Sequence, residues 1–270
     1  MNNIVTPSGR FLGRLPDVPK DTDHKYMFAH TAEMRAPQPP SVDLRSKLPP
    51  CFDQGKLGSC GPNAGTGLMA FFYPGFMGSR LALYYDIREL EGGDVANDTG
   101  VQTRDVVGVL QTMGEGPESL WPYDVSKFTE LPPADVEAAA SEHKLKSYAR
   151  LTTAQEYLQC LANGFPFLVG FQVPASFDEN QIAQTGIMLS PDIAEPEIGG
   201  HDVLAVGYDL AFRESKVVQD AGIDPSLVSE HALLIRNSWN TTWGINGHFW
   251  MPLRYAIDVS TSADAWTGRI

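Results

Sequence analysis

The sequence predicts an α+β protein of two lobes, with helices gathered in the first half and strands in the second. In stretches between Ser59 and Ala162 apolar residues recur three and four apart, whereas from Phe167 onward they run in short blocks rich in Val, Leu, Ile and Phe. Helices come first and strands after, without alternation, which argues for segregated layers rather than an alternating parallel sheet. At 270 residues the chain is long enough for one large domain or for two lobes packed across a cleft.

Residues 1–40 carry Pro16, Pro19, Pro37, Pro39 and Pro40 with no sustained apolar period, and read as an extended arm whose Phe11, Leu12 and Tyr26 can dock on the body. A helix begins near Ser59: Ala64, Leu68 and Phe71 or Phe72 keep helical spacing, and Pro62 falls in the first turn, where a missing N–H costs little. Further helices fit Leu81–Leu90, Thr103–Met113 with Gly114 as its cap, and Ala154–Ala162 closed by Gly164. Strands fit Phe167–Val173, Val203–Tyr208, Ala232–Arg236 and His248–Met251. The division expected is an arm over 1–40 and a body over 41–270, mainly helical to about 150 and mainly sheet from about 151.

Hydrophobic residues make up 43% and charged residues 20%, so the chain is globular rather than disordered. A net charge of −13 repels nucleic acid and anionic membranes, and no basic patch offsets it. The apolar runs are far shorter than the about 20 residues of a membrane span. The first ten residues lack the basic start and apolar stretch of a signal peptide, which points to the cytoplasm or to export by a route needing no such signal. Three cysteines, Cys51, Cys60 and Cys160, leave at least one thiol free. Cys51 and Cys160 either pair or stay reduced and buried.

A cysteine becomes a strong nucleophile where its thiolate is favoured, and a helix N-terminus does this through unpaired N–H groups and the macrodipole. Cys60 holds such a position. Before it, Gln54-Gly-Lys-Leu-Gly-Ser59 forms a tight turn in which Gly55 and Gly58 admit close backbone approach, and Gln54 offers an amide to a developing oxyanion. Gln54 to Cys60 resembles the nucleophile loop of the papain family of cysteine peptidases. The family's Cys-Gly-Ser-Cys-Trp stands here as Leu57-Gly58-Ser59-Cys60-Gly61, without the cysteine that usually anchors the loop by a disulfide and without the aromatic after the nucleophile.

Gly199-Gly200-His201-Asp202, followed by an apolar run ending Gly207-Tyr208, resembles the family's histidine strand. The rival, His231, lies nearer Asn237 but its flanks do not match. Asn237-Ser238-Trp239, then Trp243-Gly244 and Asn246-Gly247, is the most specific string and matches the family's asparagine segment. The interval from His201 to Asn237 is longer than usual, and Leu210 to Glu230 reads as a polar surface insertion. Ser41 to Arg45, Leu83 to Gly92 and Trp121-Pro122-Tyr123 extend the resemblance, the last two towards bacterial members.

The resemblance implies a two-lobed fold with Cys60 on the helical lobe and His201 and Asn237 on a β-barrel-like lobe. It implies a cysteine endopeptidase: Cys60 as nucleophile forming a thioester, His201 as base and acid, Asn237 orienting the imidazole, and Gln54 holding the oxyanion. It places Gly58, Ser59, Thr99, Gly100, Gly200, Asp202, Trp239 and Trp243 around the substrate, with Trp239 shielding the His–Asn bond and Trp243 on the primed side. Asp202, where a small apolar residue is common, would tolerate Arg or Lys two residues before the cut. The expected partners are peptides or proteins, with neither nucleic acid nor membrane, and with no metal or organic cofactor; the arm would cross or flank the cleft. A catalytically silent binding module and a thioester-forming acyl transferase are the alternative functions. The sequence contains no Gly-x-Ser-x-Gly elbow, zinc-ligand spacing or phosphate-binding loop.

Overall fold

The structure is a computed structural model, and it describes residues 4–7, 9–18, 20–26, 38–177, 180–190, 195–258, 260 and 264–270. In the arm, β1 (Ile4–Val5) pairs with β2 (Phe11–Leu12), and β3 (Arg14–Leu15) runs parallel to a short strand of the body. The body opens with β4 (Ser41–Asp43) and continues through α1 (Cys60–Phe72), α2 (Arg80–Leu90), β5 (Val101–Gln102, the partner of β3), α3 (Thr103–Thr112) and α4 (Ala134–Ala140). After them come β6 (Ser147–Arg150), α5 (Ala154–Ala162), β7 (Phe167–Pro174), α6 (Asn180–Thr185), β8 (Glu197–Asp209), α7 (Lys216–Ala221), β9 (Ala232–Arg236), β10 (His248–Pro252), α8 (Leu253–Ile257) and β11 (Asp264–Arg269).

The segregation of helices from strands holds. The sheet runs β10-β9-β8-β7-β11-β6, with β4 added to β8, and every pair in it is antiparallel. It takes in Ser41–Asp43 and Ser147–Arg150, which lie in the half of the chain that reads as helical. Helix α1 is buried from Cys60 to Phe71 and packs on β8, with α2 and α3 beside it. Its burial on all sides suits its Gly, Ala, Leu and Met content, which is not that of a surface helix with one apolar stripe.

Local signals account for the element ends. At α5, Thr153 Oγ1 accepts the Glu156 N–H, while Glu156 accepts the Thr153 N–H, forming a reciprocal capping box. Helix α3 ends at Thr112, capped by Met113 and followed by Gly114, whose φ of 92° only glycine adopts readily. The insertion after β8 is anchored by apolar residues: Phe212 stacks on Trp250 with ring centres 4.6 Å apart, and Val218 and Val228 are buried. All three cysteines are free and buried. Among the described residues no helix is long and apolar enough to cross a membrane, and no cluster of three His, Cys, Asp or Glu could hold a metal ion.

Candidate active site

Cys60 is the first residue of α1 and is fully buried. The backbone N–H groups of Asp202, Gly13 and Gly61 lie near its sulfur and favour the thiolate, yet burial, with the Asp202 carboxylate second, pushes the thiol up to about 12. The turn before it is held by a carboxylate. Asp98 accepts the Gly58 N–H at 2.9 and 3.1 Å through its two oxygens, and it also takes the hydroxyl of Tyr84 on α2. At Gly61 a Cβ would lie 2.8 Å from Val101 Cγ2 and 3.0 Å from Asp202 Oδ2, which leaves no room for an aromatic side chain.

His201 lies on β8, and Asn237 directly follows β9, the neighbouring strand. His201 Nε2 and Asn237 Oδ1 are 2.8 Å apart, and the Ser238 N–H donates to the same Oδ1 at 2.8 Å, which identifies that atom as the oxygen. Nε2 therefore carries the proton, and Nδ1, buried and without a hydrogen-bond partner, presents its lone pair. Extending the Leu204–Arg236 register brings Trp239 abreast of His201; the two rings stack with centres 4.9 Å apart and planes 26° apart. Burial, opposed by the Asn237 bond, holds the imidazole down at about 4, so it is neutral at physiological pH.

Gln54 is fixed at both ends of its amide. Its Oε1 accepts from Ser238 Oγ at 2.6 Å, and its Nε2 donates to the Leu57 carbonyl at 2.9 Å. That orientation leaves Nε2 facing the cleft, where it donates at 3.1 Å to the carbonyl of Phe11. Ser59 turns away from the cleft, its hydroxyl lying 2.5 Å from that of Tyr123, which in turn donates to the Gln54 carbonyl.

The arm fills the cleft along residues 10 to 17. Arg10 sits 5.7 Å above the Trp239 ring. The Gly13 N–H lies near the Cys60 sulfur, and its carbonyl accepts the Val101 N–H at 2.8 Å. The fit leaves no space for a side chain, since a Cβ on Gly13 would fall 1.8 Å from the Gly58 carbonyl oxygen. Cβ atoms on Gly100 and Gly200 would likewise collide with the carbonyls of Gly13 and Arg14. Arg14 pairs with Asp264, with side-chain exposures of 2% and 0%. Asp17 accepts from the Arg104 N–H and from Trp266 Nε1, while Asp23 binds Arg104 and Arg150.

The structure therefore gathers Gln54, Gly58, Cys60, Gly100, Gly200, His201, Asp202, Asn237 and Trp239 around one cleft. Thr99 is half-buried beside it, its hydroxyl donating to the Gly100 carbonyl. Trp243 is buried edge-on against Trp239 and beside Phe177 and Phe249, within an aromatic cluster behind the histidine. His231 spends its Nδ1 on the Leu210 carbonyl at 2.6 Å. His143 stacks on Phe76, His24 packs on Tyr148, and His248 lies 3.6 Å from Cys51; His30 lies outside the described residues. Sequence reading gave no individual role to Asp98, Tyr123, Gly13, Arg14 or Asp264, because each gains its meaning from a partner distant in the chain.

The model of the "Papain family cysteine protease" matches residues 99–264, a span that takes in His201 and Asn237 and begins after Cys60. An uncharacterized peptidase C1-like protein of Acanthamoeba polyphaga mimivirus is 34% identical over 230 residues, covering 80% of this chain and 68% of that one. Cysteine proteinase 3 of Entamoeba histolytica is 25% identical over 249 residues, covering 88% and 68%. The crystal structure of xylellain, a cysteine protease from Xylella fastidiosa, superposes with a TM-score of 0.80 at 31% identity over 96% of this chain and 95% of that one. With its α+β architecture and bacterial-type likeness, the chain belongs to the papain family of cysteine proteases.

Proposed function

We propose that the chain hydrolyses peptide bonds through a thioester on Cys60, and that the covered cleft described above is its latent state. The observation that carries the first part is the Nε2–H···Oδ1 bond of His201 to Asn237 beneath Trp239, which leaves Nδ1 as a bare acceptor one residue before Asp202, whose N–H lies near the Cys60 sulfur. With the arm withdrawn and water readmitted, Nδ1 takes the thiol proton and the helix N-terminus favours the thiolate. The sulfur attacks the substrate carbonyl carbon, and Gln54 Nε2, together with the Cys60 N–H, receives the oxyanion. Imidazolium returns the proton to the leaving amine, giving the thioester. A water deprotonated by His201 then cleaves the thioester to free acid and thiol.

Latency rests on three occupations by the arm. The Gln54 donor is taken by the Phe11 carbonyl, the sulfur is faced by an N–H rather than a carbonyl carbon, and water is excluded from the pair. Domain limits of 1–40 for the arm and 41–270 for the catalytic unit follow from this reading.

The test is iodoacetamide labelling of the full chain and of Gly13→Val, whose new side chain cannot fit against Gly58. Selective modification of Cys60 in Gly13→Val below pH 7, lost when His201→Ala is added, supports the reading. Labelling no faster than at Cys51 or Cys160 would rule it out. Product analysis with an added amine separates hydrolysis from acyl transfer.

A further inference from the structure

In the mechanism above the oxyanion is received by two donors at opposite ends of one turn, Gln54 Nε2 at its start and the Cys60 N–H at its finish. Such donors act only if both stay about 3 Å from the same oxygen, so whatever fixes the distance between the two ends bears on the rate. Asp98 pins the turn near its middle, at Gly58. The ends are held by a different group.

Arg80 is the first residue of α2 and is buried. Its Nη1 donates to the Asp53 carbonyl at 3.2 Å and to Asn63 Oδ1 at 3.0 Å. Asp53 directly precedes Gln54. Asn63 Nδ2 in turn donates to the Ser59 carbonyl at 2.8 Å, and that carbonyl shares a peptide unit with the Cys60 N–H. The unit is planar, so fixing its oxygen fixes the direction of its N–H. A single guanidinium nitrogen thus joins the two ends of the turn. The guanidinium also lies over the Tyr123 ring, 4.0 Å from its centre, and the Tyr123 hydroxyl makes a second link between the same ends. It donates to the Gln54 carbonyl at 2.9 Å and lies 2.5 Å from the Ser59 hydroxyl.

Helix electrostatics alone would not place an arginine here. A cation in the first turn opposes the macrodipole, and the first turn of α2 holds no acidic residue to offset it. The charge is answered instead from the loop after α3, where the two oxygens of Glu118 accept from Nε and Nη2 at 3.0 Å each. That fork fixes the plane of the guanidinium and leaves Nη1 free to reach both ends of the turn. A lysine would keep the charge and lose the plane, since an ammonium is a point donor on a flexible stem. We infer that Arg80 is a positioning residue for the oxyanion hole: with Asn63 and Tyr123 it holds Gln54 and the Cys60 peptide unit at a fixed separation. The inference rests on Cys60 and Gln54 having the roles proposed above.

Comparing alkylation with hydrolysis separates this role from a merely structural one. Attack of the Cys60 sulfur on iodoacetamide displaces iodide and builds no oxyanion, whereas acylation and deacylation each pass through one. The experiment uses the Gly13→Val chain and a fluorogenic peptide that it hydrolyses, drawn from a positional-scanning set. Adding Arg80→Met or Tyr123→Phe should lower kcat about tenfold to a hundredfold, with KM and the iodoacetamide rate at Cys60 kept within about twofold. Arg80→Lys should stay within about threefold of Arg80→Met. Inhibition by a peptide aldehyde, whose hemithioacetal oxygen sits in the hole, should weaken by about the factor lost from kcat. Unchanged kcat in Arg80→Met, alkylation that falls in step with hydrolysis, or full recovery in Arg80→Lys overturns the inference and leaves Cys60 standing as nucleophile. If Arg80→Met does not fold, Tyr123→Phe, which removes a single oxygen, decides by the same two rates. A Gly13→Val chain that hydrolyses no peptide of the set overturns the reading of Cys60 and Gln54, and this inference with it.

Discussion

The carboxylate of Asp98 reaches across the cleft edge to accept the Gly58 N–H through both oxygens, two residues before Cys60, and so pins the nucleophile turn without a covalent link. Leu57 in place of cysteine therefore does not leave the nucleophile turn loose. Asp98→Ala removes the acceptor from a part-buried N–H and from the Tyr84 hydroxyl, and should cost about 1–3 kcal/mol by thermal or urea unfolding. It should also lower kcat by about tenfold through misplacement of Cys60. Asp98→Asn keeps one carbonyl acceptor and should fall between the two. Unchanged kcat in Asp98→Ala would remove the turn from any positioning role.

The pH dependence of thiol reactivity separates the covered from the open state. With the arm docked, burial puts the Cys60 thiol up at about 12 and keeps His201 neutral down to about 4, so no imidazolium is present to hold a thiolate. Raising a thiol from 9 to 12 reduces the thiolate present at pH 7 about a thousandfold. Iodoacetamide should therefore modify wild type slowly across pH 5–8, with the rate rising only in strong alkali, while Gly13→Val should react rapidly even below pH 7. Stopped labelling read by mass spectrometry at Cys60 checks both curves.

Gln54 and Asn237 act at different moments and should fail differently. Gln54→Ala, in an open chain, removes a donor aimed at charge that develops only in the transition state, so kcat should fall about a hundredfold with KM little changed. Asn237→Ala frees the imidazole to rotate and should lower kcat by roughly tenfold to a hundredfold, with a displaced acid limb in the pH–rate profile. Trp239→Ala should resemble Asn237→Ala, because water then reaches the bond that the indole covers. If Trp239→Ala kept a wild-type profile, shielding would be unnecessary.

Glu115 provides a stability test away from the chemistry. It is buried beside Gly78 with one hydrogen bond, from Thr66, and burial raises its carboxyl to about 8. A group whose native value lies above its unfolded one makes the fold bind protons, so stability falls as pH rises from about 4.5 to about 8, by on the order of 4 kcal/mol. Glu115→Gln should make the fall in melting temperature between pH 5 and 9 shallower, the buried carboxyls of Asp86, Glu91 and Asp202 supplying the rest, and should exceed wild type above pH 8. A parallel decline in both proteins would exclude Glu115 as the cause.

Much of this was legible in the sequence where the signal was local. The helix starting at Ser59, the stops at Gly114 and Gly164, and the strand Ala232–Arg236 lie where spacing and caps put them. Strand β11 was not legible: Asp264-Ala-Trp-Thr-Gly-Arg269 is buried on both faces, and so shows neither alternation nor a continuous apolar run. Strand β8 extends upstream of Val203 through Gly199 and Gly200, and at Gly200 the missing side chain lets the arm pass close by. The same division holds for the site. Cys60, His201 and Asn237 carry distinctive neighbours in the chain, whereas Asp98, Arg14 and Asp264 are ordinary surface-type residues in sequence and are defined only by what the fold sets beside them.

The strand that fills the cleft belongs to the chain it covers, which sets the kinetics of its release. Docking is a first-order process, so neither dilution nor enzyme concentration shifts the balance between covered and open forms. A tethered segment presents itself at an effective concentration in about the millimolar range. A free peptide competing for the cleft must overcome that local excess, so weak ligands meet a closed enzyme.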